Sequence, residues 1–117
     1  MTRIVTTLVT GASAAIREAA IRTMLDAQLS TALILEGLPD GTSALAELAE
    51  TNPLLSITRI APGCICCTGN LTMRVTLNRI LRTHPQRLFI SLVSAEHLPS
   101  IRQFLSQEPY DKWLSLT

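Results

Sequence analysis

Three cysteines in close succession are the residues of this sequence with the most distinctive chemistry. Cys64, Cys66 and Cys67 lie in the segment Gly63-Cys64-Ile65-Cys66-Cys67 and are all the cysteines that the chain contains. Because one residue separates Cys64 from Cys66, both sulfurs can point to the same side of an extended or turning backbone, with Cys67 beyond the bend. Thiolates are soft ligands that prefer Zn²⁺, Cu⁺ or another thiophilic ion. The spacing therefore predicts a metal site formed by these cysteines, with zinc as the favoured ion.

Two other uses of the thiols compete with metal binding as interpretations of this segment. In a redox role, Cys64 and Cys66 would supply the attacking and resolving thiols, whereas a disulfide between the neighbours Cys66 and Cys67 would be strained. In a purely structural role, the cysteines would act as small apolar side chains. Three cysteines in a glycine-flanked loop favour metal or redox chemistry over inertness, and metal binding over redox chemistry.

Length and composition limit the classes of protein that this chain can represent. Its 117 residues predict one domain, residues 1–117, and 47% apolar but only 3% aromatic residues predict a core of Leu, Ile, Val and Ala. A formal net charge of +1 indicates neither nucleic acid nor an acidic membrane as a partner. Since no apolar run approaches the roughly 20 residues of a membrane span, and no signal peptide is recognisable, we expect a cytoplasmic protein.

Apolar β-branched runs alternate with helical patterns along the chain. The runs predict strands at Ile4–Thr10, Thr31–Leu35, Leu54–Ile60 and Leu88–Val93, and a short fifth strand at Lys112–Leu116. The first predicted helix carries Ile16, Ala20, Met24 and Ala27 on the face expected to be buried, and Arg17, Arg22 and Asp26 on the opposite, outer face. This alternation predicts an α/β fold with a doubly wound, mainly parallel sheet of four or five strands and helices on both faces.

Ligands of doubly wound sheets bind beyond the carboxyl ends of the strands, and the cysteines fall in a loop that leaves this edge. Glu36 follows the second predicted strand and His97 follows the fourth. Both residues are therefore candidates for further metal ligands by location alone. A helix that begins near Asn70 would place its positive end close to a thiolate.

Gly63 to Thr68 resembles the Gly-Cys-x-Cys-Cys signature of the CobW-type P-loop GTPases, a family of metallochaperones and metal-insertion proteins. The order of elements is similar as well: Val9-Thr10-Gly11 stands where the phosphate loop would lie, and Glu36 where the family has an acidic residue after its second strand. The resemblance implies a P-loop NTPase-like fold and metal handling. The metal ion, and a protein that accepts it, would be the partners.

The phosphate loop itself departs from that family. Such a loop needs Gly-x4-Gly-Lys-Ser/Thr, since its glycines let backbone amides surround the phosphates and its lysine neutralises them. Gly11, Ile16, Arg17 and Glu18 stand at these positions, so a β-branched side chain replaces a glycine and a negative charge would lie beside phosphate. The Walker B acidic residue corresponds to Ser91. GTP is therefore not expected as a cofactor, and GTP hydrolysis is not expected as an activity.

Gly11, Ser13 and Arg17 remain candidates for a residual cofactor site, although the favoured interpretation of this turn is a strand-to-helix connection capped by Ser13 that binds nothing. Val9 to Ser13 is also similar to the opening of short-chain dehydrogenases. That interpretation fails because Ala15 and Arg17 replace the later glycines.

The sequence thus predicts a metal-binding or metal-handling protein without GTP hydrolysis. The alternatives are a nucleotide-binding regulator that uses residues 11–17 and a partner-binding pseudoenzyme.

Overall fold

A computed structural model of the chain describes residues 3–37, 44–61 and 71–117. Its strands are β1 (Ile4–Thr10), β2 (Thr31–Glu36), β3 (Leu55–Ile60), β4 (Arg87–Leu92) and β5 (Leu114–Leu116). Its α-helices are α1 (Ala14–Met24), α2 (Ala44–Thr51), α3 (Leu71–Leu81), α4 (Leu98–Leu105) and α5 (Tyr110–Trp113), and a 3₁₀ turn spans Ala95–His97. The first four strands are confirmed close to their predicted bounds.

All five strands are parallel and lie in the order β3-β2-β4-β1-β5. β2 is buried along its whole length, as its uninterrupted apolar sequence predicts for a strand covered on both faces. The chain proceeds from β1 outward to β3 and then returns to insert β4 between β2 and β1. Because the strands are parallel, the carboxyl ends of β1 to β4 meet at one edge of the sheet, which we call the carboxyl edge. The predicted doubly wound α/β fold is confirmed.

Helices cover both faces of the sheet. On one face, Ile21 of α1 and Leu45 of α2 pack in a cluster with Leu33 and Phe89 of the sheet. On the other face, α3 and α4 contribute the apolar residues Met73, Leu77, Ile80, Ile101, Phe104 and Leu105. None of the helices within the described ranges is long and apolar enough to cross a lipid bilayer.

The sequence-based prediction of which face of α1 is buried is wrong. Ile16 is 55% exposed and Met24 is 37% exposed, whereas Arg17, Glu18 and Ile21 are buried. The helix also ends at Met24, before Ala27. Hydrophobic periodicity failed here because two charged side chains turn inward to meet partners on the sheet, which a local pattern does not contain.

Candidate functional site at the carboxyl edge

Several of the candidate residues that the structure describes lie at the carboxyl edge. Gly11 and Ser13 follow β1, Glu36 ends β2, and His97 lies in the connection after β4. Cys64, Cys66 and Cys67, by contrast, lie outside the described residues, in the stretch that joins β3 to α3.

Of the two candidate ligands within the described ranges, Glu36 is the better buried, with 6% of its surface exposed. Its Oε1 atom accepts a hydrogen bond of 2.7 Å from the backbone N–H of Val93, just beyond β4. The next residue, Gly37, has a positive φ of 90° and donates its N–H to the carbonyl of Ile60 at the end of β3, at 2.8 Å. The bond from the Val93 amide to the Glu36 carboxylate is charge-assisted, and at 2.7 Å it is among the stronger hydrogen bonds in proteins. Glu36 and Gly37 thus join the ends of β2, β3 and β4.

His97 has a different setting, since its side chain is exposed at the end of the 3₁₀ turn. Ser94 begins this turn, and its Oγ accepts from the N–H of Glu96 at 3.2 Å. Within residues 3–37, 44–61 and 71–117, no three His, Cys, Asp or Glu side chains form a group that could hold a metal ion. A site that included Glu36 or His97 would therefore require ligands from outside these ranges.

Ser13 caps α1, as predicted for the turn after β1. Its Oγ accepts the N–H of Ile16 at 3.2 Å, and its carbonyl accepts the N–H of Arg17 at 3.1 Å. The Ile16 amide is one of those that a helix start leaves without an intrahelical partner, whereas the bond from Arg17 is the first hydrogen bond of the helix itself. Since both are already satisfied within the chain, they do not remain available to a bound phosphate.

Arg17 is buried with 4% of its surface exposed, and its guanidinium binds two neighbouring elements. Nε donates to Ser91 Oγ on β4 at 2.8 Å, and Nη1 donates to the Gly11 carbonyl at the end of β1 at 3.0 Å. The guanidinium therefore crosslinks α1, the turn after β1, and β4. Sequence reasoning placed Arg17 on the outer face. The available signal was that Arg17 departs from the phosphate-loop pattern and Ser91 from the Walker B pattern, one as a hydrogen-bond donor and the other as an acceptor.

Glu18 also differs from expectation, because its carboxylate does not lie beside the turn. It is 7% exposed and pairs with Arg59 of β3, with Oε1 and Nη2 3.5 Å apart. Arg17 forms no ion pair with a carboxylate of the described ranges. Its hydrogen-bond acceptors there are the Ser91 hydroxyl and the Gly11 carbonyl. The negative charge expected next to a phosphate position is thus directed to another strand.

The fold and this edge define a class: a doubly wound α/β protein with polar groups gathered where the class binds its ligands. Within that class, the chain is 38% identical over 72 residues to the zinc chaperone YeiR of Escherichia coli (strain K12). The similar region covers 61% of this chain but 21% of YeiR, so the chain corresponds to about a fifth of that relative. No family model matches the chain. No solved structure shows significant similarity to it.

Proposed function

We propose that this chain is a metal-handling protein, a degenerate relative of the CobW-type GTPases, in which Cys64, Cys66 and Cys67 bind zinc and release it to a protein acceptor. The observation that carries the proposal is a Gly-Cys-x-Cys-Cys segment in a chain that is similar, over 61% of its length, to a zinc chaperone. Such thiols need a reducing compartment, which is the reason to place the protein in the cytoplasm.

The position of this segment in the chain supports the proposal. β3 ends at Ile60 and α3 begins at Leu71, so the stretch with the cysteines starts and finishes at the carboxyl edge. The positive end of the α3 macrodipole favours a negative group nearby, such as the thiolate that zinc requires. Glu36 stands at the same edge, with one carboxylate oxygen held by the Val93 amide. That bond fixes the orientation in which its carboxyl group could serve as a further ligand.

Release would proceed by ligand exchange. A structural zinc site has four protein ligands and holds its ion permanently, whereas a site with fewer protein ligands keeps a position open for an incoming group. Three cysteine thiolates leave such a position. A thiolate or imidazole of the acceptor would occupy it first, after which the chain's thiolates leave one at a time. The ion then remains coordinated throughout the transfer.

Nucleotide turnover has no part in the proposed function. Arg17 stands at the position of a phosphate-binding lysine, but its guanidinium donates to Ser91 and Gly11. The Ser13 hydroxyl oxygen already accepts an N–H of the first helical turn. A phosphate group would have to displace these bonds from a buried cation. These contacts support the metal-handling hypothesis over a nucleotide-binding regulator.

A zinc titration of the reduced protein, in competition with a chromophoric chelator, tests the proposal. Replacing Cys66 with Ser should weaken zinc binding by more than about 100-fold, because even outer-shell partners of metal ligands contribute about 10- to 100-fold. Cys64→Ser and Cys67→Ser should act in the same direction. The urea midpoint of the metal-free protein should stay unchanged, since the sheet carries the core. Unaltered zinc stoichiometry and affinity in all three variants would contradict the proposal.

The same titration decides whether Glu36 and His97 take part. Each has a matched control of the same residue type on an exposed surface: Glu47 on α2 and His84 after α3. His84 has a φ of 53°, so its control substitution is His84→Asn, which tolerates that conformation. A ligand role predicts weaker zinc binding for Glu36→Gln or His97→Ala but not for Glu47→Gln or His84→Asn. Equal effects within a pair would remove that residue from the ligand set.

A further inference from the structure

The near-neutral net charge of the chain conceals a separation of charge along it. From Thr51 to Ala95 the sequence contains no aspartate or glutamate, although it contains five arginines. The nine acidic residues all lie before or after this stretch. Because the stretch includes β3, the cysteines, α3 and β4, its positive charge is built into one part of the fold.

In the part of the chain that the structure describes, two of the five arginines have an ion-pair or hydrogen-bond partner. Arg59 pairs with Glu18, and Arg87 donates to the Met24 carbonyl at 3.1 Å with its guanidinium 4.7 Å from the centre of the Phe89 ring. The other three are Arg74, Arg79 and Arg82, which lie on α3 or directly after it. All three are exposed, and none forms an ion pair with a residue in the described part of the chain.

These arginines share one face of α3 with exposed apolar side chains. Leu71 is 70% exposed and Val75 is 49% exposed, two of the large apolar residues that the fold leaves uncovered. We call the exposed surface formed by Leu71, Arg74, Val75, Asn78, Arg79 and Arg82 the α3 stripe. Its members recur at spacings of three and four residues, which places them side by side along the helix.

The α3 stripe combines exposed apolar side chains with arginines that form no ion pair in the described part of the chain. Exposed leucine and valine gain nothing from water. Arg74 is oriented by the Phe104 ring, whose centre lies 5.7 Å from its guanidinium carbon. Folding alone does not require this combination of uncompensated charge and apolar surface, whereas a partner with the opposite pattern would satisfy both.

We propose that the α3 stripe docks an acidic protein surface with an apolar centre, and that this surface belongs to the metal acceptor; the second part rests on the proposed zinc function. Leu71 follows directly on the stretch that contains the cysteines, so a protein bound to the stripe would contact the chain next to its thiols. Electrostatic complementarity would raise the rate of encounter, and Leu71 and Val75 would be buried in the complex.

Two other anionic partners fit this surface less well. Nucleic acids are commonly bound with aromatic side chains that stack on bases, and the α3 stripe contains none. A helix that lies on a membrane needs a broad apolar face, whereas the stripe exposes Leu71 and Val75 among three arginines. An acidic protein with a small apolar centre matches both components.

The test uses a synthetic amphipathic peptide with glutamates flanking a leucine stripe, and a second peptide of the same composition in scrambled order. Amide spectra of the full chain locate the binding site, and fluorescence anisotropy gives the affinity. Arg79→Glu combined with Arg82→Glu should weaken binding of the ordered peptide at least about tenfold, because attraction at two exposed pairs becomes repulsion. Arg3→Glu combined with Arg22→Glu changes the net charge equally at exposed sites elsewhere and should alter the affinity by less than about twofold.

A second comparison tests the apolar component of the stripe. Leu71→Ser should weaken binding of the ordered peptide, whereas Leu54→Ser, at another exposed leucine, should not. The scrambled peptide should bind more weakly to the wild-type chain.

Several results would overturn the docking proposal. One is equal weakening of peptide binding by both arginine pairs. Another is the absence of any spectral change at residues 71–82 at about 1 mM peptide, a concentration at which weak protein complexes form. The third is that anionic vesicles or duplex DNA bind through these residues more tightly than the peptide does. The zinc titration is independent of this test. Peptide binding without zinc binding would refute the proposed function and keep the docking surface, and the reverse result would refute only the docking surface.

Discussion

Arg17 and Ser91 provide a prediction about stability that can be worked out from the structure. In Ser91→Ala, the buried Nε–H of Arg17 loses its acceptor at 2.8 Å, and a buried donor without a partner costs about 1–3 kcal/mol. In Arg17→Met, Ser91 Oγ and the Gly11 carbonyl lose their donor, while the cost of burying a charge disappears. We expect about 1–3 kcal/mol of destabilisation here as well.

The double variant separates an interaction from two independent losses. With methionine and alanine facing each other, neither the orphaned Nε–H nor the orphaned hydroxyl exists, and the Gly11 carbonyl alone lacks its former donor. The double variant should therefore be about as stable as either single variant, which corresponds to a coupling energy of about 1–3 kcal/mol.

Urea denaturation followed by far-ultraviolet circular dichroism and by the fluorescence of Trp113, the single tryptophan, measures all four proteins. With a urea slope of about 2 kcal/mol per molar, a loss of about 2 kcal/mol lowers the midpoint by about 1 M. Ser56→Ala, on an exposed position of β3, is the control and should change stability by less than about 0.5 kcal/mol. Additivity of the two single losses to within about 0.5 kcal/mol would refute the reasoning.

Two further predictions concern a backbone conformation and a titrating group. Gly37→Ala should cost about 1–3 kcal/mol in urea denaturation because its φ of 90° strains any side chain, with Gly37→Asn less affected; full stability of the alanine variant would contradict this. Burial raises the pKa of Tyr110 above its ordinary value of 10.0, and Arg74 partly opposes the shift. Since the folded chain then holds the proton more tightly than the unfolded chain, this contribution to stability is complete below pH 10.0 and is lost as the pH rises above it. Phenolate absorbance of the single tyrosine should show the raised pKa, and Arg74→Met should raise it further; an ordinary titration, or a pH dependence of stability that persists in Tyr110→Phe, would disprove it.

The architecture was predictable because its signals are local. Continuous apolar runs such as Thr31 to Leu35 indicate strands covered on both faces, and the alternation with helices then fixes the parallel pairing. The helix Tyr110–Trp113 was missed, since a single turn has too few residues for a periodic pattern. β5 consequently begins at Leu114 and not at Lys112.

The position of Glu36 at the carboxyl edge was predictable, but its contacts were not. The rule that ligands lie beyond the carboxyl ends of parallel strands placed Glu36 correctly, yet its bond to Val93 joins residues far apart in the chain. The same holds for Arg17, whose acceptor on β4 is 74 positions away. A sequence pattern within one helix contains no information about such partners. The thiolate site of Cys64, Cys66 and Cys67 stays a prediction that the zinc titration decides.

The bond between Arg17 and Ser91 has a consequence for the evolutionary history of this turn. A lineage that acquired a phosphate-loop lysine at position 17 and a Walker B carboxylate at position 91 would have to replace both residues. Either replacement alone leaves the other buried group without its partner, at a cost in stability. Either order of mutation therefore passes through a less stable intermediate. Once such a pair is established, descendants are expected to retain both residues or to lose both together.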